Sequence, residues 1–486
     1  MYKKRSKRYE TWRIIFILVG MPLLAGVLLT LATLYMIDYR FNFKDREVTQ
    51  GGLVQFDSHP RGAAVSIDGK MLSGNTPTRI NTSAGSHTVS MTLKGYAPWQ
   101  KTVTVEPGKV LWLNYTRFIP ENITTSVAAK YQKLAQILAV PNTVYMYVLV
   151  DAAQPQITQL QATNSLLKTS TFDIATDLLT VGKGSHFKIV SSDASGKYLL
   201  VEHKYGKDTE WLYIDVNTPT NSLNISRLTK QPISEVKFDA SNSRALYTLI
   251  AGSLYYLDTT KAALSTALVQ NISNYEVMSD GTLLYATTYN QATARRDIGY
   301  LSPNASVTKT VRTFYGNKSL TIDFIGNKYF NANYFAIKYG TTLEINTGTL
   351  PASDSGDAVM LSSIATIALT TAHSTISFSP TSRFILVDSD VTFMTYDLEL
   401  NKLATITQRG DGGVSPIEWL DNTSLLTTRG GQLQYYEFDG ENSHPLMRNA
   451  RANSSILSPD NNSLYSAQNQ ADGGVNIMRL SILTKK

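Results

Sequence analysis

The sequence predicts a mainly β protein: an N-terminal transmembrane helix, a small β-sandwich, and a C-terminal β-propeller of seven blades, with eight as the alternative count. Three observations carry this. Residues 14–37 are charge-free and apolar. Between Gly52 and Phe118 short apolar or alternating runs are separated by turns bearing glycine and proline. From Phe187 onward a strand–turn–strand unit recurs about every 45 residues, a period typical of four-stranded propeller blades.

The apolar run comes first. Its 24 residues, from Ile14 to Ile37, would span roughly 36 Å as a helix, enough to cross a hydrocarbon core of about 30 Å. It is longer than the roughly 7–15 apolar residues of a cleaved signal peptide, and it shows no polar stripe. Lys3, Lys4, Arg5, Lys7, Arg8 and Arg13 against Glu10 place a strong positive charge before it, whereas Arg40, Lys44 and Arg46 after it are balanced by Asp38, Asp45 and Glu47. Cationic flanks stay on the cytoplasmic side, so residues 1–13 are expected inside the cell as a basic tail and the bulk of the chain outside it. The lipid bilayer is therefore one expected partner, through residues 14–37.

The formal charge of +7 invites a nucleic-acid reading. Most of the excess lies in residues 1–13, and the rest of the chain is nearly neutral, without a dense basic patch interleaved with stacking aromatics; nucleic-acid binding is not expected. The chain has no cysteine, which excludes disulfides, thiolate metal sites and a cysteine nucleophile. Charged residues make up 17%, below the roughly 25% of an average globular protein, a balance that suits an all-β external protein.

Residues 38–50 carry mixed charge without an apolar period and read as a short stalk. In residues 51–118 the strand candidates are Leu53 to Phe56, Ala64 to Ile67, His87 to Leu93, Thr102 to Val105 and Val110 to Tyr115. Asp68-Gly69 supplies the positive φ of a two-residue hairpin turn, and Tyr96 with Trp99 forms an apolar anchor.

These residues resemble the PEGA domain family. Pro60, Arg61, Gly62 and Ala63 match its Pro-x-Gly-Ala signature, followed by Val65, Ile67 and the Asp68-Gly69 turn; Thr76-Pro77, Gly85, Thr88, Val89, Gly95-Tyr96 and Pro107-Gly108 continue the pattern. Ala84 departs from the proline often found there. The resemblance covers about one-seventh of the chain and implies a non-enzymatic β-sandwich serving as spacer or adhesive module.

Residues 119–142 read as a connector. Val127, Tyr131, Leu134 and Leu138 fall at helical spacing, with Ser126 as cap and Pro141 as stop, so a helix is expected here. Residues 143–486 then hold the propeller. Its copies run Phe187 to Val201, Val236 to Leu249, Val277 to Ala286, Ile322 to Ile337, Ile376 to Val387, Ile417 to Leu426 and Ile456 to Ala467. The expected turns hold Asp193 and Gly196, Asp239 and Asn242, Asp280-Gly281, Gly326-Asn327, Ser379-Pro380, Asp421-Asn422 and Ser458-Pro459-Asp460. Third strands are read at Trp211 to Val216, Leu254 to Leu257, Phe393 to Leu398 and Gln434 to Phe438. Val144 to Val150 leaves room for an eighth blade. The turn at Ser458 and its degenerate copies resemble the Ser-Pro-Asp-Gly turn of TolB-type and WD40-like propellers.

The sequence offers no catalytic, cofactor-binding or metal-ligating set. The six histidines, His59, His87, His186, His203, His373 and His444, show no metal-ligand spacing. There is no phosphate loop and no nucleophile elbow. Ser165 and Lys168 form an isolated Ser-x-x-Lys; Asp388 with Asp390, and Asp411, fall short of a calcium loop. Tyr255-Tyr256 and Tyr435-Tyr436 are each expected to put one ring in the core and one outside. The expected function is a membrane-tethered, extracytoplasmic binding or scaffolding protein without a cofactor, its partner a cell-envelope protein or glycan. The alternative is an envelope polysaccharide or peptide hydrolase or lyase with its site in the propeller channel.

Overall fold

A computed structural model describes residues 12, 15–36, 39–42, 47–389, 392–407 and 416–483. The basic tail before Trp12, and Asp390 and Asp411, lie outside them. A π-helical turn, Phe16–Gly20, runs into an α-helix, Met21–Met36. The stretch Phe16–Thr33 is long and apolar enough to cross a membrane. Its two threonines return their hydroxyls to the carbonyls four residues earlier, Thr30 to Gly26 at 2.9 Å and Thr33 to Leu29 at 2.8 Å, so no side-chain donor is left for an apolar surrounding to desolvate.

The chain divides into two compact units, one ending at Asn122 and the other spanning Ile123–Ile482. The first is a two-sheet sandwich. One sheet places strand Glu47–His59 between Thr78–Ser83 and Val110–Arg117, the latter parallel to it. The other has the spatial order Lys70–Asn75, Ala64–Ile67, Gly85–Thr92, Trp99–Val105. Val54, Phe56, Val65, Val89, Met91, Trp99 and Leu113 fill the space between. Alternate residues of Trp99–Val105 are buried, the period-2 signature of a sheet with one covered face. Part of the expected stalk is strand instead: Tyr39–Asn42 pairs with the first residues of Glu47–His59.

Among the described residues the second unit holds eight four-stranded antiparallel sheets, the larger of the two blade counts. In chain order the blades begin at Gln136, His186, Ile233, Ile272, Ile322, Thr375, Ile417 and Ala450. The seven copies read in the sequence are blades two to eight. The first blade, Gln136–Asp173, contains the Val144 to Val150 run. Second strands such as Tyr145–Leu149, Ala245–Ile250 and Phe384–Asp388 are almost wholly buried, since blades cover both of their faces. That is why they read as continuous apolar runs.

The connector helix does not form. Thr124–Tyr131 and Gln136–Ala139 are strands, and the first of them pairs antiparallel with Val475–Ser481 as the fourth strand of blade eight. Val127 and Tyr131 lie on the first strand, Leu138 on the second and Leu134 between them, and the Thr-Thr-Ser-Val start favours the extended state. The start and the end of the second unit thus share one sheet. Blade eight also packs on blade one through Ile456, Tyr465 and Ile477 against Leu134, Met146 and Val148, which closes the ring.

A second difference concerns Gly326. It lies inside strand Ile322–Tyr329, and the turn falls later, at Phe330. A Cβ on Gly326 would stand 2.7 Å from Leu284 Cδ1, so this glycine permits close approach of blades four and five instead of making a turn.

Candidate functional site

First strands of blades one and two, four and five, five and six, and eight and one lie against one another, and together the first strands form the inner ring of the propeller. Side chains tie them together. Gln136 brackets Ile189, donating to its carbonyl at 2.7 Å and accepting from its amide at 2.9 Å. Asn274 donates to the Ile322 carbonyl at 3.2 Å. Asp388 accepts from the Ile417 amide at 3.2 Å, and Arg451 donates to the carbonyls of Leu134 and Ala135 at 3.0 Å each.

Glu235, Glu276 and Asp323 on this ring are neutralised in place by lysines. Lys237 Nζ lies 3.4 Å from Glu235 and 2.9 Å from Glu276, and donates to the Tyr275 carbonyl at 2.6 Å. Burial alone would lower its pKa, but the two carboxylates outweigh this and the lysine is held above its ordinary value. Lys338 pairs with Asp323 at 2.7 Å and donates to the carbonyls of Ala372 and Ser374. Glu418 differs: it accepts the Asn453 amide at 2.6 Å, and burial pushes its carboxyl up to about 7.

A second polar chain lies in blade two. His203 and Glu210 face each other across adjacent strands, only 1% and 2% exposed, with Nδ1 2.8 Å from Glu210 Oε1. Glu210 also accepts from the Thr180 amide at 2.9 Å, the Thr180 hydroxyl at 2.7 Å and Asn224 Nδ2 at 2.8 Å. Burial would raise its pKa, yet these donors together hold the carboxyl below the usual glutamate value. It is therefore ionised and accepts the proton on Nδ1, while Nε2, on the other side of the ring, lies 3.2 Å from Ser185 Oγ. The Phe187 ring stacks on the imidazole at 4.3 Å. The result is a Ser–His–Glu chain, with residues 178–180 fastened to strands of blade two. Sequence spacing hid it, because the three residues lie on a loop and two strands and meet only through pairing register.

The other histidines are dispersed. His87 sits against Asp68 in the sandwich, His186 is exposed, and His444 is half-buried with its pKa lowered by burial. Ser165 and Lys168 do not form a site: the Ser165 carbonyl accepts Arg479 Nη1 at 2.7 Å, and Lys168 is exposed on a strand. Tyr435 is buried and Tyr436 half-buried, whereas Tyr255 and Tyr256 are both half-buried. Among the described residues no group of three or more His, Asp or Glu side chains is placed to hold a metal ion.

Residues 52–118 match the PEGA domain family. A comparison with curated protein sequences finds no match. Among solved structures, the chain is similar to the β-propeller domain of a protein from Myceliophteria thermophila at 11% identity and a TM-score of 0.40, over 74% of this chain and 99% of that one. It is similar to an oligogalacturonate lyase in complex with manganese at 10% identity and a TM-score of 0.41, over 73% and 98%. It is also similar to the tricorn protease at 7% identity and a TM-score of 0.40, over 74% of this chain and 38% of that one. At these values the likeness extends to no activity.

Proposed function

We propose that this is a membrane-tethered, extracytoplasmic binding or scaffolding protein. The apolar helix anchors it, the PEGA-like sandwich acts as a spacer, and the propeller carries the recognition surface for a component of the cell envelope. The observation that carries the reading is the inner ring, where Glu235 and Glu276 share Lys237 and Asp323 is paired with Lys338. Carboxylates committed to lysines serve neither as a general acid with a raised pKa nor as an open metal site; Glu418 supplies one carboxyl with a raised pKa, whereas glycoside hydrolysis needs a pair of free groups. The charge asymmetry around residues 14–37 supports a cytoplasmic N-terminus. The test is retention: the full chain in detergent, immobilised, should retain a component of a solubilised envelope fraction. Failure to retain any protein or glycan would overturn the reading.

The Ser185–His203–Glu210 chain favours a second reading, an envelope hydrolase. A fluorophosphonate probe separates the two. Labelling that disappears in Ser185→Ala would establish an activated serine, and an unlabelled wild-type chain would leave Glu210 as the tether of residues 178–180.

A further inference from the structure

A polar cavity of about 240 Å³ opens at the boundary of blades two and three. Tyr213, Asp215 and Thr259 form its buried floor, and Asn221, Arg244 and Thr260 its exposed rim. Both blades build it rigidly. Ser243 Oγ donates to Asp193 at 2.9 Å, the Tyr213 hydroxyl to the Ser243 carbonyl at 3.4 Å, and the Thr259 hydroxyl to the Arg244 carbonyl at 2.7 Å.

Two groups facing this cavity are incompletely bonded among the described residues. Arg244 donates Nε to the Tyr198 hydroxyl at 3.2 Å, and its two Nη atoms have no partner. Asp215 is 5% exposed; its Oδ1 accepts the amides of Asn217 and Thr218 at 3.1 and 2.9 Å, while Oδ2 accepts nothing. The two line one cavity without forming an ion pair. Oδ2 is thus an acceptor that remains open to a donor entering the cavity.

The occupant must donate to Asp215 and accept from Arg244 within one small space. Adjacent hydroxyl groups do both. A phosphate or sulfate would meet the Asp215 charge, and a cation would find a single carboxylate beside a guanidinium. The volume is below the roughly 300–1,000 Å³ of pockets for drug-sized ligands, which suits one ring and not an oligomer. We propose that this cavity binds a single pyranose unit, a terminal sugar of an envelope glycan, with Arg244 and Asn221 donating to its hydroxyls and Asp215 accepting from them. The proposal rests on the binding reading above and names its ligand class.

Saturation-transfer NMR on the full chain in detergent tests it, with methyl glucoside, methyl galactoside and N-acetylglucosamine as probes and glycine as a zwitterionic competitor. Transfer from at least one sugar is expected, weakened about tenfold in Arg244→Ala and Asn221→Ala and lost in Thr260→Trp, with Lys168→Ala unchanged. These variants sit on the exposed rim, so the floor that holds the blades is untouched. Absence of transfer, transfer indifferent to the rim variants, or displacement by glycine would each overturn the proposal. Retention of an envelope component is measured on the same preparations. Retention that survives while the sugar result fails removes this site and leaves the binding reading standing, and loss of both removes both.

Discussion

His87 Nδ1 lies 2.7 Å from Asp68 Oδ2, and on the other side of the ring Nε2 lies 2.8 Å from the Ser83 carbonyl. Both partners accept only, so both ring nitrogens must donate, and His87 is held as an imidazolium. Burial would lower its pKa, but the Asp68 bond and then the Ser83 carbonyl outweigh it, and the pKa is raised. Asp68 in turn accepts the Thr88 amide at 2.9 Å, so one carboxylate fastens the Asp68-Gly69 turn to strand Gly85–Thr92.

The sign of the pH dependence follows from this raised value. The contribution is fully present below the unfolded histidine pKa of about 6.5 and is lost as pH rises through the folded one. The melting temperature of the sandwich transition should therefore fall as pH rises above about 6.5. Asp68→Asn should flatten that slope, and an identical slope in the variant would remove the imidazolium assignment.

The same turn gives a backbone test. Asp68 and Gly69 have φ of +49° and +77°, as a two-residue hairpin turn with two left-handed positions requires. A Cβ on Gly69 would meet nothing within 4 Å, so the penalty there is conformational and not steric crowding. Gly69→Val should cost on the order of 1 kcal/mol or more in chemical denaturation of the sandwich, because a β-branched residue is poorly tolerated at positive φ. A denaturation midpoint equal to wild type would contradict the turn.

What was legible in the sequence and what was not divides along physical lines. Asp68-Gly69 and Ser458-Pro459-Asp460 were readable because turn chemistry is local. The seven copies from Phe187 to Ala467 were readable because doubly covered second strands are continuous apolar runs. Thr124–Tyr131 was misread as a helix because its identity as a strand comes from pairing with Val475–Ser481, more than 300 residues away. Gly326 was misread as a turn because its reason lies in Leu284 of the neighbouring blade. The same non-locality hid the candidate sites: Ser185, His203 and Glu210 meet through strand register, and Asp215 and Arg244 meet across a blade boundary.

Glu418 makes a prediction of opposite chemistry to His87 but equal direction. Burial raises its carboxyl from an ordinary value near 4.5 to about 7. Between those values the folded state binds more protons than the unfolded chain, so propeller stability should decline as pH rises from about 4.5 to 7. Glu418→Gln keeps an acceptor for the Asn453 amide and cannot ionise. It should be more stable than wild type at pH 8 and no more stable at pH 4, as read by the propeller melting temperature. A variant less stable than wild type at pH 8 would show that the charged form is accommodated.

The last prediction concerns ring closure. Thr124–Tyr131 is the fourth strand of blade eight, with Ala129 opposite Ile477 and Val127 opposite Met478. If that pairing closes the ring, the propeller is one cooperative unit whose terminal edges are hidden from partners. Removing the chain after residue 450 deletes the three other strands of blade eight and should expose edges on blades one and seven at once. The expected outcome is loss of the single propeller transition, with aggregation or early proteolysis of everything after residue 123. Ala129→Pro is the milder form, since proline removes a ladder donor without removing a blade, and it should lower the melting temperature of the whole ring. Were the truncated chain to lose only the structure of its last blade while blades two to six melted as before, the sheets would be stacked as a linear array, and the pairing at Ala129 would close nothing.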